Sequence, residues 1–144
     1  MGLRDSRVPA AQAQLEALWS FGEDLGTAFQ IIADCLDLTG EESVVGKSLG
    51  TDLGLGKLTL LMIHLIANSG ARRERLVQMI TDPQPGPGFG DLRQEFDVDA
   101  SVAYALAQGR KFVESAVSAL SVLPEGPARD AIGGLAEYVI RRHY

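Results

Sequence analysis

The chain has 144 residues, 46% of them hydrophobic, with a formal net charge of -6 and a single cysteine. That is apolar material for one domain with its own core, spanning residues 1-144, and too little for two of ordinary size. The negative balance excludes nucleic acid and an anionic bilayer as electrostatic partners, because both are polyanions, and a lone thiol excludes an internal disulfide.

The first residues, Met1-Gly2-Leu3-Arg4-Asp5, lack the long apolar segment of a secretory signal. The most apolar run, Leu58 to Ala67, is too short to cross a bilayer and contains His64. The expectation is a cytoplasmic protein without an integral membrane segment. From Pro9 to about Leu38, apolar residues recur at Leu15, Leu18, Gly22, Leu25, Phe29, Ile32 and Leu36, the three-and-four spacing of a helix stripe. Pro9 suits the first turn and Gly40 the stop. An opposite stripe, Glu23, Thr27, Gln30, Asp34 and Asp37, predicts that one helix has a greasy side and an acidic side.

Residues 39 to 56 hold five glycines without sustained periodicity, which predicts a compact loop whose backbone turns tightly or approaches a ligand. Lys47 lies within it and Lys57 just beyond. From Lys57 to about Asn68 the chain is apolar nearly all round, the pattern of a helix covered on several sides. A short basic amphipathic helix is expected over Ala71 to Ile80, then a breaker-rich connection through Pro83, Pro85, Gly86, Pro87, Gly88 and Gly90. A helix over residues 99 to 121 would bury Val102, Leu106, Gly109, Val113, Ala116 or Val117, and Leu120. A last helix after Pro124 and Pro127 carries Ile132, Leu135 and Val139. No run has strand periodicity, so the fold class is all-α, with about five helices.

Gln30, Ala33, Asp34 and Asp37 line one helical patch of about one and a half turns. Magnesium takes one or two carboxylates and fills its octahedron with water and phosphate oxygens. Lysines beside glycines neutralise phosphate and let backbone N–H groups approach it. Carboxylates on a helix followed by Lys47 and Lys57 in a Gly-rich turn are thus what a magnesium-bridged diphosphate needs, provided both sets face one cavity.

The order of these residues carries more than each alone. Ala28-Phe29-Gln30-Ile31, Asp34, Asp37, Gly46-Lys47, Gly50, Asp52 and Gly56-Lys57-Leu58-Thr59-Leu60 resemble the second aspartate-rich motif and lysine loop of the trans-isoprenyl (polyprenyl) diphosphate synthases. The resemblance covers nearly the whole chain as the C-terminal half of that family. It implies a partial isoprenoid-synthase helical bundle, completed by self-association or by a complementary synthase subunit. It also implies head-to-tail prenyl transfer from an allylic diphosphate to isopentenyl diphosphate in the complete enzyme, with Mg2+ as cofactor. Asp34 and Asp37 match metal-binding aspartates, and Gln30, Lys47 and Lys57 match substrate-binding positions. Ala33 stands where the family has its most direct metal ligand, and no first aspartate-rich motif occurs, so the chain alone is expected to be inactive. The alternatives are a non-catalytic magnesium-diphosphate-binding regulatory subunit and a structural interaction protein. Leaving a few hundred Å² of the Leu58 to Ala67 helix bare would cost several kcal/mol at about 25 cal/mol per Å², which motivates the partner.

Other reactive residues have plainer explanations. His64 lacks a second ligand at metal spacing and is expected to be a core or groove residue. Cys35 sits beside Asp34, which raises a thiol pKa, so an inert, partly buried thiol is expected. Arg72-Arg73 are open to phosphate contact, Arg141-Arg142 complement a helix C-terminus, and Trp19 is expected in a core or interface.

Overall fold

The computed structural model describes residues 7–39, 57–81 and 89–141. These form six α-helices: α1 (Arg7–Thr39), α2 (Leu60–Asn68), α3 (Arg73–Thr81), α4 (Phe89–Glu95), α5 (Val98–Ala119) and α6 (Pro127–Arg141). Short 3-10 turns, Gly70–Arg72 and Leu120–Val122, precede α3 and follow α5. Among the described residues there is no strand, and the all-α fold is that expected. Residues through Phe29 together with those from Arg110 onward make one compact unit, and Gln30–Gly109 makes the other. Helices α1 and α5 run through both.

Helix α1 has 33 residues and is about 50 Å long. It buries Ala17, Phe21, Leu25, Ala28, Ile32, Cys35 and Leu38. This is not the stripe that hydropathy favours. Leu25 and Ile32 are inside as expected and Leu36 is half-buried, but Leu15, Leu18 and Phe29 are 62%, 40% and 43% exposed. The helix rests instead on a side where Ala17, Ala28 and Cys35, which contribute little to a hydropathy pattern, are interleaved with Phe21, Leu25, Ile31, Ile32 and Leu38. The acidic side does lie across the helix from the buried one, but part of the greasy stripe is outside. At 3.6 residues per turn, the face holding Leu15, Gly22, Gly26 and Phe29 continues to Ala33 and Asp37.

Thr59 caps α2, its hydroxyl accepting from the Met62 N–H at 3.4 Å. Leu61, Met62 and Leu65 are buried, whereas Ile63 remains 51% exposed, so one side of this apolar helix is uncovered within the chain. The helix stops at Ser69, and Gly70 follows at φ 54°, a left-handed conformation that suits glycine just past a helix end.

Helix α4 lies at the end of the stretch read as a connection, where Gly88 and Gly90 mask its beginning. Its Leu92 is fully buried. The corner into α5 is fixed by the Asp97 carboxylate, which accepts from the Ala100 N–H at 3.0 Å as an N-cap. Arg93 also pairs with Asp99 across that corner at 2.7 Å. Helix α5 buries Val98, Ser101, Ala105, Val113 and Ala116, and the 3-10 turn after it buries Leu120; Gly109 is buried among them. A Cβ at Gly109 would lie 3.2 Å from Ile32 Cγ1, so this glycine sets how closely α5 approaches α1. The largest fully buried side chains, Leu61, Leu76, Leu92, Val98, Cys35 and Ser101, all belong to the Gln30–Gly109 unit.

Helix α6 begins on Pro127, which needs no N–H there, after Gly126 at φ 151°. It buries Ala136 and Val139, while Leu135 is 53% exposed.

Candidate functional site

The last turns of α1 are held from behind and open in front. Ile32 is buried against Gly109, and Cys35 is 2% exposed. Burial, with a smaller contribution from the Asp34 carboxylate, pushes the Cys35 thiol up to about 12. Burial thus favours the protonated thiol, with desolvation rather than the neighbouring charge as the main cause.

On the other side Asp34 and Asp37 are half-buried, and Ala33 between their turns is half-buried too. Gln30 donates its amide Nε2–H to Asp34 Oδ1 at 2.9 Å, one turn along the helix. That bond satisfies one carboxylate oxygen and limits rotation of the group. Asp34, Asp37 and Lys57 each have an interaction partner. Lys57 is exposed in the segment leading to the Thr59 cap of α2. Lys47 and the glycine loop around it lie outside the described residues.

Among the described residues no group of three or more His, Cys, Asp or Glu side chains is arranged to hold a metal ion. A closed, all-protein metal cage is therefore not what the described part of this site offers. Two carboxylates one turn apart do match magnesium, which keeps waters and takes phosphate oxygens as its other ligands. The donor set fits a cation shared with a diphosphate.

The other polar residues singled out in the sequence are engaged elsewhere. His64 Nδ1 is 3.0 Å from the Ser101 hydroxyl, and its ring stacks on Tyr104 with centroids 4.1 Å apart. His64 and Ser101 border a cavity of about 250 Å³ that Asn68, Arg72 and Asp97 also line. Arg72 donates to the Glu95 carbonyl and lies 5.1 Å from the Phe96 ring centroid, a cation–π contact. His64 is thus a groove residue with its hydrogen bond made, and Arg72 is used structurally. Arg141 pairs with Glu137 at 3.2 Å in the last turn of α6. Trp19 is 70% exposed, so it is no core aromatic of this chain. Sequence reasoning missed the bond from Gln30 to Asp34, although their i, i+4 spacing was the available signal.

This all-helical architecture is that of the isoprenyl diphosphate synthases. The chain belongs to the polyprenyl synthetase family, whose model matches residues 6–87. It is 31% identical over 134 residues to an octaprenyl diphosphate synthase of Haemophilus influenzae, covering 92% of this chain and 41% of that protein. It is 30% identical over 131 residues to heptaprenyl diphosphate synthase component 2 of Bacillus subtilis, covering 90% of this chain and 36% of that protein. Among solved structures, a polyprenyl synthase from Caulobacter crescentus complexed with calcium and isoprenyl diphosphate superposes with a TM-score of 0.78 at 29% identity. That match covers 92% of this chain and 41% of the other. The chain therefore spans about two fifths of the length of the curated relatives it matches. No described helix is long and apolar enough to cross a membrane.

Proposed function

We propose that this chain is the part of a polyprenyl diphosphate synthase that carries the second acidic motif, holding the metal-bound diphosphate of an allylic or isopentenyl substrate. Prenyl transfer then requires the remainder of a synthase bundle. The observation that carries this reading is the end of α1, where Asp34 and Asp37 stand half-buried on one helix and Gln30 holds Asp34 in place. Asp34 and Asp37 supply the protein oxygens for Mg2+, and Gln30 orients the first of them. Lys57 and Lys47 bring ammonium groups to the phosphate oxygens. When bound, the metal would supply charge neutralisation for a departing diphosphate. The buried back of the helix keeps the carboxylates fixed while this happens. Ala33 contributes no oxygen. A lost ligand of this kind weakens transition-state stabilisation by several kcal/mol, so turnover is slow even in a completed enzyme.

Mixing the chain with a polypeptide that supplies the remainder of a synthase, including a first acidic motif, tests this reading. Elongation of a labelled allylic diphosphate by isopentenyl diphosphate, in the mixture and in neither part alone, is expected. Absence of product in such mixtures would remove the catalytic reading.

Ala33 favours a second reading, a diphosphate-binding regulatory subunit without turnover. There magnesium diphosphate binds through the same residues, and the completed assembly yields no elongated product.

A further inference from the structure

We infer that the cavity between the end of α2 and the start of α5 is a binding site for a small zwitterion, of the class of a polar α-amino acid. The inference goes beyond the reading above and does not rest on it, because the diphosphate residues do not line this cavity. Its walls all belong to the Gln30–Gly109 unit.

Volume sets the size of the guest. The cavity holds about 250 Å³, several times the roughly 30 Å³ share of one water. It is smaller than the pockets of about 300–1,000 Å³ that take drug-sized molecules.

Two opposite charges face this space, and each is held in place without the other. Arg72 donates to the Glu95 carbonyl and lies over the Phe96 ring, while the Glu95 carboxylate pairs with Arg75 through contacts of 2.9 Å. Those contacts fix the Arg72 guanidinium and leave it further N–H groups for a carboxylate. Asp97 accepts from the Ala100 N–H at 3.0 Å, which uses one carboxylate oxygen and leaves the second. Among the described residues no ion pair joins Arg72 to Asp97. A guest with both a carboxylate and an ammonium group bridges them. A simple anion would meet Asp97 and a simple cation would meet Arg72, each a like-charge contact.

The remaining wall offers neutral polar partners. His64 uses Nδ1 on the Ser101 hydroxyl and has its ring plane set by Tyr104, so Nε2 is the nitrogen left for a guest. Asn68 donates through Nδ2 to the His64 carbonyl at 2.8 Å, and its own side-chain oxygen remains. Ser101 is 1% exposed, so the polar lining continues to the inner part of the cavity. A guest side chain with a hydroxyl or amide finds partners here, whereas an aliphatic one leaves these groups unpaired.

The test titrates serine into the isotope-labelled full chain and follows its backbone amides by NMR. Expected are saturable shifts centred on Asn68, Arg72, Ala100 and Ser101. Lactate and ethanolamine, which each carry one of the two charges, should bind more weakly by about tenfold or more. Asp97→Asn keeps the helix cap, since asparagine caps as well as aspartate, and should erase the preference for serine over lactate. Arg72→Gln should erase the preference for serine over ethanolamine. No saturable shift with serine overturns the proposal and leaves a hydrated groove. Tighter binding of lactate or inorganic phosphate than of serine overturns it too, as does serine affinity unchanged by Asp97→Asn. Neither result bears on the diphosphate reading, whose residues these variants leave in place.

Discussion

Ala33 and Cys35 are two positions apart on one helix and show how little sequence distance separates its half-buried side from its core side. Ala33 lies on the open side with Asp34 and Asp37, where another carboxylate would add a third oxygen donor to the pair. The Ala33→Asp variant is expected to bind magnesium pyrophosphate more tightly, by about tenfold or more, as calorimetry would read. Unchanged affinity would mean that the patch does not face the diphosphate. Cys35 points the other way, and its raised pKa has a definite sign in stability. The unfolded thiol ionises near about 8.5, whereas the folded one waits until about 12. Its contribution is therefore complete below the unfolded value and is lost as pH rises through this window. Urea midpoints should fall between these pH values by more in the native chain than in a Cys35→Ala variant. A thiol reagent at pH 8 should label Cys35 only when the chain opens.

At the scale of elements, packing is set by small residues. Gly109 lies against Ile32, so Gly109→Val forces methyl groups into a position already 3.2 Å from a buried side chain. It should lower stability by about 1–3 kcal/mol, measured by chemical unfolding. Leu76→Ala empties a fully buried position of α3 and should cost about 2–5 kcal/mol in the same assay. The pair between Arg75 and Glu95, two contacts of 2.9 Å joining α3 to α4, holds the Glu95 carboxyl below its ordinary range through the hydrogen bond from Arg75. That link persists above the ordinary carboxylate pKa and is lost as pH falls through the lowered one.

The same elements show what the sequence made legible. Helix α1 could be read from Pro9 and its unbroken helical spacing, and the placing of Gln30, Asp34 and Asp37 near its end from the same spacing. Which side of α1 is buried could not be read, because Ala17, Ala28 and Cys35 weigh less in hydropathy than Leu15, Leu18 and Phe29. Helix α4 escaped notice because Gly88 and Gly90 suppress local helix propensity, and burial of Leu92 is a tertiary fact that overrides it.

For the molecule as a whole, the apolar residues that sequence patterning assigned to a core are split between two fates. One set, including Leu25, Ile32, Leu61, Leu65, Val113 and Leu120, is buried within the chain. The other, Leu15, Leu18, Trp19 and Phe29, is outside, and on α6 Leu135 and Tyr138 are more than half exposed. A chain spanning about two fifths of its curated relatives with such a stripe on its longest helix has the surface of a part rather than of a finished bundle. The diphosphate grip, in contrast, needs only the end of α1 and the lysines that follow, and so is expected in the chain by itself. The most direct test is calorimetric titration of magnesium pyrophosphate into the isolated chain and into an Asp34→Asn/Asp37→Asn variant. The account predicts a saturable, magnesium-dependent heat in the first that is absent from the second; equal heats in both, or none in either, would contradict it.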